Sequence, residues 1–286
     1  MSIGSLVLNL STIVLPVDFS PRCAGMLVYA KALASRYHSQ VTLINIINRV
    51  LEVSETWRPD DGSPVPPRVV AEHESKLAVL ANTALEGCDV RRTVLEGDPE
   101  EQIKSLIKRE PPSLLVMSTH GNRFRQFFLG SLAAQLLDDV SCPVLTGAHV
   151  EHHVAEPSIS FRRVLCAIDL NEKSYEVVTW AASFASDFSA KLALLHVNSG
   201  GAQSADQIKT RLRDLLTQAL LKSSTLDPAA VSILVHEGDI AQTVASFAAT
   251  IRADILIIGR GLTHSARLRR HASPIIRLSP CPVISI

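Results

Sequence analysis

Two small-residue turns carry the chemistry that this chain can be expected to do. Ser118-Thr119-His120-Gly121 follows the apolar run 114–117, and eight residues separate Gly121 from Gly130-Ser131, which opens a helix-like segment. Gly121 and Gly130 let a backbone approach a ligand with no Cβ in the way. Ser131 and the free N–H groups at the start of its helix would face an anion favourably. Together these residues suit a phosphate held by backbone donors. An Asp closes the first strand (Pro16-Val17-Asp18) and recurs as Asp169 in a second copy, although an Asp there can also simply cap the next helix.

Positioning such residues needs strands that end together, and the sequence supplies them twice. Thr12 to Ser20 aligns with Arg163 to Asn171, Glu96-Gly97-Asp98 with Glu237-Gly238-Asp239, and Cys142-Pro143-Val144 with Cys281-Pro282-Val283. In each copy short β-branched runs alternate with helix-period stretches, the pattern of a parallel α/β sheet with helices on both faces. Strands are predicted near 12–18, 40–47, 90–95, 113–118 and 143–146, then 162–168, 190–197, 230–235, 254–259 and 282–286. Helices are predicted near 21–37, 68–86, 99–109 and 130–139, then 173–187, 204–223, 240–251 and 271–278. Asp98 and Asp239 are the expected N-caps of the third helix of each copy, with Pro99 at the first helical position. The expected domains are 1–147 and 161–286, joined by a linker, 148–160. The first copy also carries an extended loop, 50–69, with four prolines and a glycine.

Composition narrows the classes of function. A chain of 286 residues with 47% apolar and 20% charged residues is a globular one with room for two cores. Lys plus Arg equals Asp plus Glu at 28 each, which argues against nucleic acid or an acidic membrane surface as a partner. The N-terminal segment lacks a basic leader, and Asp18 interrupts it too early for a membrane span. Five scattered cysteines without a CxxC pair fit a reduced cytoplasm, the expected location, with packing as their leading role. No GxxxxGK[ST] loop and no GxGxxG after a strand is present. His149, Glu151, His152 and His153 lie in the polar linker, where solvation outweighs metal binding as an explanation, so no metal is expected. Arg267, Arg269, Arg270 and His271 form a basic cluster where the second copy would carry its Gly-Ser. No catalytic arrangement can be argued from spacing.

In an open parallel sheet, ligands bind outside the carboxyl ends of the strands where the strand order reverses. That rule selects Pro16, Val17 and Asp18, the Asn45-Ile46 end of strand two, and the turn from Ser118 to Gly121.

LPVDFS, EGDPEEQI and EGDIAQTV, STHG followed by LGS, and the SCPV and PCPV endings resemble the universal stress protein family, in tandem over nearly the whole chain. The resemblance implies two flavodoxin-like or Rossmann-like domains, each with a five-stranded parallel sheet. It also implies an adenine nucleotide, ATP or AMP, with Mg²⁺ as an optional companion, and pairing of the two copies as a pseudo-dimer; a homodimer of whole chains stays open. Carried over by position, the nucleotide site comprises Pro16, Val17, Asp18, Ile46, Ser118, His120, Gly121, Gly130, Ser131 and Leu132. Its second-copy counterparts are Ala167, Ile168, Asp169, Val197, Gly259 and Gly261. This chain departs from the family pattern where Ser118 replaces a glycine, which fits if its backbone stays at negative φ, and where the loop before Gly130 is one residue short. In the second copy Leu262 falls where the second Gly should be, and Arg269-Arg270 replace Gly-Ser. The expected function is a stress-response protein whose first domain binds the nucleotide as a regulatory ligand. The alternatives are a nucleotide-free interaction scaffold, its pocket closed by Phe124, Phe127 or Phe128, and a slow ATP hydrolase.

Overall fold

The computed structural model describes residues 8–48, 64–118, 136–137, 139–147, 159–198, 204–222, 226–260 and 269–286. Two compact units result: one holds Leu10–Val144, the other holds Ser160–Ile286 together with 145–147.

In the first unit the elements run β1 (Thr12–Pro16), α1 (Pro21–Tyr37), β2 (Gln40–Ile47), α2 (Pro67–Ala84), β3 (Asp89–Glu96), α3 (Pro99–Arg109) and β4 (Leu114–Ser118), and β5 (Val144–Gly147) follows. The strands lie in the order β3-β2-β1-β4 with parallel registers throughout. β1 and β4 are almost wholly apolar because helices cover the sheet; Ile13, Leu15, Leu43, Ile44, Leu114, Leu115 and Val116 are fully buried. The chain steps outward through α1 and α2 and then returns through α3. Right-handed crossovers therefore place α1 and α2 on one face and α3 on the other.

The second unit repeats the plan with β6 (Arg163–Ala167), α4 (Ser174–Asp187), β7 (Lys191–Asn198), α5 (Ala205–Lys222), β8 (Val231–Glu237), α6 (Ile240–Thr250), β9 (Ile255–Ile258), α7 (Arg269–Leu278) and β10 (Val283–Ser285). Its order is β10-β9-β6-β7-β8, again parallel. The α/β class and the parallel sheet are as predicted, and the described element ends fall within a few residues of the expected ones.

Local signals explain most boundaries. Asp98 Oδ1 accepts the Glu100 and Glu101 N–H groups at the start of α3, and Asp239 Oδ1 accepts that of Gln242 at α6. Gly97 and Gly238 just before them sit at φ +126° and +133°, a region closed to most side chains. The two units clip their first and fourth strands differently. Ser113 and Thr12 share hydroxyl and backbone hydrogen bonds in the first. In the second, Asp254 accepts the N–H groups of Arg162 and Arg163, both at 2.8 Å, and the Arg163 guanidinium at 3.0 Å.

Candidate functional site

The strand order reverses at β1 in the first unit and at β6 in the second, so the crevice lies at their carboxyl ends. At that point β1 leaves the ladder: Val17 N–H still donates to Ile44 O at 2.7 Å, but Val17 is the last residue so held. The β1–β4 register pairs Ile13 with Leu114, and carried forward it brings Ser118 level with Val17. Ser118 is the final residue of β4 and is not among the residues with positive φ, so its backbone conformation suits a side chain.

Asp18 is exposed and opens a tight turn. Its Oδ1 accepts the Ser20 N–H at 3.0 Å and the Ser20 hydroxyl at 2.6 Å. Ser20 in turn caps α1, accepting the Cys23 N–H. The aspartate therefore acts on the helix through Ser20 and does not cap it directly. Phe19 between them adopts φ +57°, which is strained for a bulky residue, and no glycine marks the position. Among the described residues, Asp18 Oδ2 has no hydrogen-bond partner.

Behind this turn lies a polar pair of which the sequence reading named Asn45, as the end of strand two, but not its partner His73. Asn45, next to Ile46 at the end of β2, donates from Nδ2 to the Val17 carbonyl at 2.9 Å. Its Oδ1 therefore faces the other way, toward His73 Nδ1 on α2 at 2.6 Å, so His73 must carry a proton on Nδ1. Asn45 and His73 are 4% and 6% exposed, and His73 lies on a helix face otherwise made of Val69, Leu77 and Ala81. The Phe19 ring meets the His73 ring edge-on at 5.9 Å, and the Lys76 ammonium lies 5.8 Å from the Phe19 ring centre.

The second unit builds the same corner with other residues. Ile168 N–H donates to Leu195 O at 2.9 Å, matching Val17, and Leu170 has φ +60°, matching Phe19. Here His196 Nδ1–H caps the Ile168 carbonyl directly at 2.8 Å, in the place of Asn45. Asp169 spends both oxygens on Asn171, accepting its N–H at 3.4 Å and its amide at 2.8 Å. Desolvation by burial raises the Asp169 carboxyl above its ordinary 3.8, against hydrogen bonds that lower it. Arg211 on α5 donates to the Leu170 carbonyl at 3.2 Å. Gly259 is explained by packing: a Cβ there would stand 3.0 Å from Val177 on α4. Burial pushes the Cys23 thiol up to about 12, with the Asp18 charge adding to it, so this cysteine beside the turn packs and does not react.

The structure thus gathers Pro16, Val17, Asp18, Ile46 and Ser118 at one edge of the first sheet, and Ala167, Ile168, Asp169, Val197 and Gly259 at the matching edge of the second. His120, Gly121, Gly130, Ser131, Leu132 and Gly261 lie outside the described residues, as do Phe124, Phe127, Phe128 and the linker histidines. Among the described residues there is no cluster of three or more metal-binding side chains, and no helix is long and apolar enough to cross a membrane.

Comparison with known proteins gives a consistent picture. The sequence model of the Universal stress protein family matches residues 9–146 and again 160–286. Among solved structures, a universal stress protein from Archaeoglobus fulgidus DSM 4304 superposes with TM-score 0.72 at 18% identity, covering 98% of this chain and 97% of that one. A universal stress protein from Pseudomonas aeruginosa UCBPP-PA14 gives 0.66 at 15% identity, covering 98% and 94%. A further one from Archaeoglobus fulgidus, solved with dAMP, is 21% identical over 45% of this chain and 98% of its own, with TM-score 0.34. No curated protein matched the chain.

Proposed function

Since the chain belongs to the universal stress protein family, matched over both of its units, we propose that its first unit binds an adenine nucleotide, ATP or AMP, as a regulatory ligand in a stress response. The observation that carries this reading is Asp18 Oδ2, which has no hydrogen-bond partner among the described residues, at the reversal of strand order, on a turn held rigid from behind by Asn45 and His73. A carboxylate oxygen in that place can accept from a ribose hydroxyl or an exocyclic amine. Ile46 and Pro16, both half-buried beside it, offer apolar contact to a base. Phosphates would then fall to the turn after Ser118 and the segment at Gly130-Ser131.

The second unit is the weaker site. Its aspartate is bonded on both oxygens to Asn171, and a nucleotide group would have to displace one of those bonds. Metal-free binding by side-chain and backbone acceptors and donors accounts for the residues present, and Mg²⁺ would be an accompaniment of ATP rather than a requirement.

Titration of the purified chain with ATP and AMP by calorimetry tests the proposal. Binding of one nucleotide per chain that is lost in Asp18→Ala supports it, and no heat with either nucleotide refutes it. In that event the scaffold reading, without nucleotide, takes its place.

A further inference from the structure

We infer that His73 is a positioning residue for the nucleotide site of the first unit, acting through Asn45. This inference rests on the reading of that site as nucleotide-binding. His73 grips the Asp18 turn from both ends. Through Asn45 it fixes the Val17 carbonyl, the acceptor that β1 leaves without a ladder partner. Through its ring it fixes Phe19, held at φ +57° on the other side of Asp18. The two peptide planes flanking Asp18 are therefore set by one imidazole, which leaves the carboxylate only its own side-chain rotation, and Ser20 takes that up through Oδ1. Oδ2 is left presented in a single direction.

The comparison between units shows that the device is not a requirement of the fold. The buried face of α5 runs Ile208, Leu212, Leu216 and Ala219, so Leu212 stands where α2 has His73. There the carbonyl cap is a single step from His196, and the aspartate folds back onto Asn171 with both oxygens. A buried polar pair costs more to maintain than a leucine, and it stays only where each partner is satisfied. The first unit keeps one, aimed at the turn that carries Asp18.

The test uses the full chain with three variants: His73→Leu, His73→Gln, and the double variant Asn45→His/His73→Leu, which installs the second unit's own tolerated pair. AMP and ATP affinities are measured by calorimetry and hydrogen exchange of the Ser20 amide by NMR. Loss of one positioning hydrogen bond should weaken nucleotide binding about tenfold in His73→Leu and in the double variant. His73→Gln, whose amide can still donate to Asn45 Oδ1, should recover most of the affinity. Equal affinity in all proteins, or equal loss in the Leu and Gln variants, overturns the inference. If the unaltered chain binds no nucleotide, the functional proposal fails by itself, and exchange at Ser20 decides the positioning role. Faster exchange in His73→Leu than in His73→Gln supports it, and identical exchange in every protein refutes it.

Discussion

Replacing Asn45 with Ala should be among the costliest single changes in the first unit. Asn45 is 4% exposed and makes two side-chain hydrogen bonds, to the Val17 carbonyl at 2.9 Å and with His73 at 2.6 Å. Truncation leaves the carbonyl and the His73 N–H buried and unpaired, at roughly 1–3 kcal/mol each. With the small void, the sum is about 3–5 kcal/mol. His73→Leu orphans Asn45 Oδ1 and gains apolar burial, so the loss of this bond should cost about 1–2 kcal/mol. In the double variant Asn45→Ala/His73→Leu neither the His73 N–H nor Asn45 Oδ1 is present to be left unpaired, so the effects should fall short of additivity by two such terms, about 2–6 kcal/mol. A chain of two units does not unfold in one step, so native-state hydrogen exchange at β1 and β2 amides is the appropriate assay. Additivity within about 0.5 kcal/mol would refute the hydrogen-bonded relay as described.

Three further outcomes are expected, two of them from the second unit. Asp254→Ala removes the acceptor of two backbone N–H groups and one guanidinium, part of it solvent-facing, and should destabilise that unit by about 2–3 kcal/mol in urea unfolding. The exposed hydroxyl clip at Ser113 should cost under about 0.5 kcal/mol when changed to Ala; comparable losses would contradict the assignment. The raised Asp169 carboxyl implies a pH effect of defined sign, because the folded unit favours the protonated form. Its contribution to stability is complete below 3.8 and is lost as pH rises through the raised value. The stability of the unaltered chain relative to Asp169→Asn should therefore fall over that interval and level off above it. A difference that is constant with pH, or that grows, would show the carboxyl to be unshifted or lowered.

Much of the fold is legible in the residues themselves. Runs such as 114–117 and 255–258 are apolar at every position because both faces of the sheet are covered, and their short length separates them from helices. Asp98 and Asp239 announce the starts of α3 and α6 by residue type. The corner at the end of β1 was legible only in part. Asp18 stands out because aspartate is rare in strands, but its relay through Ser20 depends on a phenylalanine at positive φ, where a glycine would have been the signal. His73 was invisible for another reason. A histidine on an apolar stripe reads as a flaw in the stripe, and its partner Asn45 lies 28 residues away. The available signal was the internal repeat: Leu212 shows what that helix position packs, and a polar residue in its counterpart asks for a buried partner. Gly259 carried the opposite lesson, since its small size answers to Val177.

The central claim concerns what occupies the corner at Asp18, and calorimetric titration of the full chain with AMP and ATP tests it most directly. The account predicts binding of one nucleotide per chain, abolished by Asp18→Ala and unaffected by Asp169→Ala. Absence of binding, or binding that survives Asp18→Ala and is lost in Asp169→Ala, would contradict it.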